Sequence, residues 1–110
     1  TYKAEDAEHL IVAYGSMSRL AENVVDIARE NGIKAGLLRP ITLFPFPAKP
    51  IEELVPQLKS IMSVELSAGQ MIEDIKLTVN GKVPVNFYGR MGGSVPSPEE
   101  IYEAFEKSIR

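Results

Sequence analysis

Four short apolar runs, each bounded by turn residues, alternate along the chain with amphipathic segments. His9 to Tyr14, HLIVAY, is apolar after its first residue, stops at Gly15 and is too short for a helix. That is the pattern of a strand buried on both faces. Beyond GSMS, the run Arg19 to Asn31 places Leu20, Val24, Ile27 and Ala28 at helical spacing, with Ser16 or Ser18 available as N-cap and Gly32 at the far end. IKAGLLR reads as a second strand, Ile51 to Leu58 as a short helix and SIMSVEL as a third strand. Gln70 to Val79 is a helix closed by Asn80-Gly81, and VPVNFY a fourth strand. Pro98 at a first helical position, with Ser97 as cap and Glu99 and Glu100 in the first turn, opens a last helix to Ile109.

Strands alternating with helices predict parallel pairing through right-handed crossovers, hence a three-layer α/β/α sandwich with a mainly parallel sheet in the order 2-1-3-4. Ligands and partners of such sheets gather outside the carboxyl ends of the strands, where successive connections diverge. Here that point lies between the first and third strands. The loops to watch are Gly15 to Ser18 and Glu65 to Gln70, with Arg39 and Gly89 to Gly93 on the same rim.

Composition narrows the function classes. At 110 residues the chain makes one domain, and a 45% hydrophobic content suffices for a core. Residues 1–8 are polar and without period, so they read as a linker or the remnant of upstream sequence, with the domain proper over 9–110. A net charge of -3 with both signs interspersed offers no cationic face for nucleic acid or anionic lipid. No apolar run reaches the roughly 20 residues that span a bilayer, and a signal-peptide order is absent, so the expected compartment is the cytoplasm. Cysteine is absent and His9 is the single histidine, which excludes disulfides, thiolate zinc, iron–sulfur ligation and cysteine nucleophiles within this chain.

Each candidate site has two readings. YGSMSR, with Gly15, Ser16 and Ser18, is a glycine turn entering a helix; it either caps that helix or holds an anion, although the further glycines of a dinucleotide fingerprint are missing. Glu65 closes an apolar strand and needs a donor, for which an ion pair with Arg39 or Arg90 is favoured. Glu73 and Asp74 fit a solvated helix face better than acid–base chemistry. His9, without metal-ligand company, reads as the opening residue of its strand. The glycines around Arg90 in YGRMGGSVPSP make either a plain connection or a close-approach surface.

Half of the eight prolines, Pro40, Pro45, Pro47 and Pro50, fall in one connection. Each fixes its own φ and biases the residue before it, here Arg39, Phe44, Phe46 and Lys49, away from helix. The connection is a stiff ledge. Leu43, Phe44 and Phe46 cannot all enter one core from it, so at least one aromatic is expected to face outward as an interface anchor; the alternative is that both rings fold back under the domain.

AYGS, LLRPITLFPFP, VELSAGQMIEDI and VNGKVPVNFYGRMGG.VPSPEEI, in this order, resemble the C-terminal domain of the alpha subunit of 2-oxoacid:ferredoxin oxidoreductases over about Glu8 to Phe105. The strand–glycine–serine start and LRPI are more distantly similar to the transketolase C-terminal domain. That resemblance implies a parallel-rich sandwich, usually with an extra antiparallel edge strand before HLIVAY that this chain is expected to lack. It also implies membership of an enzyme that uses thiamine diphosphate, magnesium, iron–sulfur clusters and coenzyme A to convert a 2-oxoacid into an acyl-CoA, passing electrons to ferredoxin. By the same resemblance the cofactors sit in the beta subunit and other domains, the domain itself binds none, and its partners are the other subunits. Arg39, Pro40, Phe44, Pro45, Phe46, Gln70 and Arg90 carry over as interface or structural positions, and no residue as catalytic. The alternative from the residues alone is a stand-alone domain binding a small anion or nucleotide along the Gly15–Ser18 and Gln70 rim.

Overall fold

The computed structural model describes residues 1–40, 46–65, 71–89 and 96–109. Strands β1 (His9–Ala13), β2 (Ala35–Leu38), β3 (Ser60–Glu65) and β4 (Val85–Gly89) alternate with helices α1 (Met17–Glu30), α2 (Ala48–Leu54), α3 (Ile72–Val79) and α4 (Pro98–Ile109). All three strand pairings are parallel and the order is β2-β1-β3-β4, as the alternation predicts. Ile11 lies opposite Leu37 on one side and Met62 on the other, and this register sets the two faces of the sheet.

One face, from Ile11, Ala13, Leu37, Met62 and Val64, is covered by α1 and α4. The opposite face, from Leu10, Val12, Leu38 and Ile61, is covered by α2 and α3 through Ile51, Ile75 and Val79. Burial on both sides is why β1 and β3 read as unbroken apolar runs. The seam of α1 is Met17, Ala21, Val24, Val25 and Ala28, whose two alanines let the helix lie close to the sheet. Leu20 and Ile27, expected in that seam, sit at its margin and are only partly buried.

Two local expectations change. Lys49 precedes Pro50 yet lies within α2, because Pro50 falls in the first turn, where an N–H has no partner to lose. The helix also ends early: Val55–Gln57 tightens into a 3-10 turn around Pro56. The start of α4 and the end of α3 follow the sequence. Ser97 Oγ accepts the Glu100 N–H at 3.2 Å, and Asn80 and Gly81 take φ of 48° and 77° to close α3.

Residues 1–8 pack against the domain. Tyr2 exchanges two backbone hydrogen bonds with Leu37, each 2.8 Å, as an isolated antiparallel bridge on the free edge of β2. The extra antiparallel strand of the resembled fold is thus represented by a single bridged residue. Ala4 and Ala7 are buried, and a Cβ on Gly36 would meet the Ala4 backbone at 2.8 Å. Arg29 locks the segment from α1, donating to both Asp6 carboxylate oxygens, to Lys3 O and to Ala35 O. From the other side Gln57 Nε2 donates to the carbonyls of Ala4, Glu5 and Ala7.

Candidate functional site: the rim at the strand carboxyl ends

The topology brings the β1–α1 turn, the end of β2 and the end of β3 to one rim of the sheet. Gly15 makes the first turn possible, since its φ of 67° is one that side-chain-bearing residues rarely adopt. Ser18, almost wholly buried, donates its hydroxyl to Gly15 O at 2.7 Å and fixes the turn from inside. Neither serine caps α1 through its side chain. Ser16 holds the N-cap position in the αR conformation, φ -63° and ψ -24°, rather than the extended one that aims a hydroxyl at the next turn's N–H groups.

Arg39 leaves the end of β2 toward solvent, while Pro40 beside it is buried. With Tyr14, Gly15, Ser16, Ser18 and Arg19 these two line an open cleft of about 510 Å³. Glu65 is in a different environment. It is 6% exposed, its carboxylate accepting the Ser63 hydroxyl at 2.9 Å and the Met71 N–H at 2.8 Å. The expected ion pair to Arg39 is not made, because the carboxylate is turned inward to the approach of α3, where a backbone donor and a hydroxyl satisfy it. The alternative partner, Arg90, lies outside the described residues, as do Phe44, Pro45 and Gln70.

Phe46 is half-buried and packs on the α2–α3 side of the core, so this ring folds back under the domain. Among the described residues the large apolar side chains that do face outward are Tyr14 on the rim, Leu77 on α3 and Phe87 on β4. Sequence reasoning did not single out Phe87. The alternation of β4 could have flagged it, since Val85, Phe87 and Gly89 share one face of a strand that pairs, among the described residues, with β3 alone. Away from the rim, His9 opens β1 with Nδ1 2.7 Å from Ser60 Oγ and its ring edge-on to Phe105. Burial pushes its pKa below the ordinary imidazole value, against the opposing pull of Glu8. Among the described residues no group of three or more histidine, cysteine, aspartate or glutamate side chains could hold a metal. None of the described helices is long and apolar enough to cross a membrane.

This architecture is an α/β fold shared with transketolase. It superimposes with a TM-score of 0.82 on a split-gene transketolase in an inactive beta4 tetramer, at 17% identity over 99% of this chain and 40% of the other. The 2-oxoglutarate:ferredoxin oxidoreductase from Magnetococcus marinus, solved with 2-oxoglutarate, coenzyme A and succinyl-CoA, matches at 0.75 and 18% identity over 96% of this chain and 18% of that one. In sequence, the ketoisovalerate oxidoreductase subunit VorB of Methanothermobacter marburgensis is 54% identical over 100 residues, 91% of this chain and 28% of the relative. Residues 7–101 match the pyruvate:ferredoxin oxidoreductase core domain II. The chain belongs to that family, and it spans little more than a quarter of the length of the curated relative.

Proposed function

We propose that the chain is the C-terminal domain of the alpha subunit of a 2-oxoacid:ferredoxin oxidoreductase acting on a branched-chain 2-oxoacid, and that it serves subunit assembly rather than the reacting centre. The observation that carries this reading is the 54% identity to a ketoisovalerate oxidoreductase subunit, sustained over 91% of the chain. In the complete enzyme a 2-oxoacid is oxidatively decarboxylated to an acyl-CoA with electrons delivered to ferredoxin, in the cytoplasm. Thiamine diphosphate, magnesium and the iron–sulfur clusters belong to other domains and subunits; a chain without cysteine cannot supply thiolates to a cluster.

The assembly role is supported by what the surface presents. Phe87 is 42% exposed and Leu77 is 77% exposed, and outward aromatic and large aliphatic groups on rigid elements are what subunit contacts use. Phe44, Pro45, Gln70 and Arg90, carried over from the family's motifs, are proposed as further contact positions. The test is anaerobic isolation of the longer chain carrying this segment, with each co-purifying subunit weighed and 2-oxoacid- and CoA-dependent viologen reduction assayed. A multisubunit complex reducing dye fastest with 3-methyl-2-oxobutanoate supports the proposal. A lone chain without such activity overturns it.

A further inference from the structure

From the cleft between β1, β2 and α1, we infer a binding site for a phosphate group. Among the described residues its lining includes two arginines, Arg19 and Arg39, and no acidic residue, in a chain whose acidic residues outnumber its basic ones, 15 against 12. The cations in the ion pairs of the described residues are Lys3, Arg29, Lys59 and Lys107. Neither rim arginine pairs with a described residue; Glu22, which lines the adjoining hollow together with Arg39, makes no ion pair with it. Ser16 lines the same cleft and makes no side-chain capping bond to α1, whereas the Ser18 hydroxyl is committed to the Gly15 carbonyl. Tyr14, half-exposed, adds a phenol to the wall.

The chemistry of this wall selects the ligand class. Arginine presents a planar fork of N–H donors that matches the paired oxygens of phosphate or carboxylate. Two such cations balance the two negative charges that a phosphomonoester carries near neutral pH, whereas a single carboxylate balances one. A volume of about 510 Å³ accommodates a phosphate together with part of the molecule that bears it. The site lies outside the carboxyl ends of β1 and β2, on the rim where α/β sheets bind ligands, and it requires none of the reactions proposed for the complete enzyme.

The test is a two-dimensional NMR titration of the 110-residue chain at constant ionic strength with inorganic phosphate, glycerol 3-phosphate and, as the competing class, succinate. Saturable shifts at Gly15, Ser16, Arg19 and Arg39 with either phosphate, weakened at least about tenfold in the Arg19→Gln/Arg39→Gln double variant, are the expected result. Both side chains are exposed, so the variant keeps the fold, and an unchanged spectrum elsewhere verifies it. Tighter binding of glycerol 3-phosphate identifies a phosphorylated small molecule as the occupant; equal binding identifies free phosphate, and the recognised group is the same in both. Shifts that follow ionic strength alone, undiminished binding by the double variant, or preference for succinate would overturn the inference.

Discussion

The carboxylate of Glu65, at the end of β3, accepts the backbone N–H of Met71, the residue that leads into α3, at 2.8 Å. The contact spans a connection of the chain, and the second carboxylate oxygen takes the Ser63 hydroxyl at 2.9 Å. A buried acid therefore ties the central sheet to the start of a helix on the rim. Glu65→Ala leaves two buried donors unpartnered and should cost about 1–3 kcal/mol, with Glu65→Gln, which keeps an acceptor, costing less. Urea denaturation of the two variants checks the order; equal stability of wild type and Glu65→Ala would contradict it.

The packing of Ala4 on Gly36 predicts a steric response. A methyl at position 36 would lie 2.8 Å from both Ala4 Cα and Lys3 O, which are backbone atoms that cannot rotate away. Gly36→Ala should displace residues 1–8 and destabilise the domain by about 1–3 kcal/mol. Hydrogen exchange reads this locally: the Leu37 amide, bonded to Tyr2 O, should lose protection, while amides of β1 paired with β3 keep theirs.

Asp6 carries the acid dependence of the same segment. Its hydrogen bonds to Arg29 hold its pKa below the ordinary carboxylate value. A folded-state pKa lower than the unfolded one gives a contribution present above the unfolded value of about 3.9 and lost as pH falls through the folded one. Asp6→Asn should therefore flatten the fall in melting temperature below about pH 4 and leave the profile near neutrality unchanged in shape. A profile identical to wild type in acid would refute the assignment.

His9 titrates in a different window. Its folded pKa lies below the unfolded value, so the neutral imidazole favours the fold; the contribution is complete above about pH 6.5 and is lost as pH falls through the folded pKa. Imidazole proton shifts should give a midpoint below about 6.5. A midpoint above it would mean that Glu8 outweighs burial.

Much of this fold was legible because both faces of the sheet are covered. HLIVAY and SIMSVEL could only be buried strands, and four of them separated by helices leave few parallel orders. The polar look of residues 1–8 concealed their packing, because what holds them is backbone pairing at Tyr2 and donors far along the chain, Arg29 and Gln57, which no local pattern reveals. Gly15, Ser16, Ser18 and Arg39 line one cleft, but the ion pair expected of Glu65 with Arg39 is not made. Glu65 looked like half of an ion pair because sequence shows charged side chains and not the free N–H of a helix start. The cleft shared by Arg19 and Arg39 needed the crossover that sets β2 beside β1.

Phe87 gives the most direct test of the proposal that the domain assembles the enzyme rather than reacting in it. The measurement is made on the complete complex, comparing wild type with Phe87→Ala for the assembled fraction by sedimentation and for 2-oxoacid-dependent dye reduction per assembled complex. The ring is 42% exposed on β4, so removing an aromatic anchor worth about 2 kcal/mol should lower the assembled fraction. Turnover per assembled complex should stay at the wild-type value. Complexes that assemble normally but no longer turn over would contradict the account.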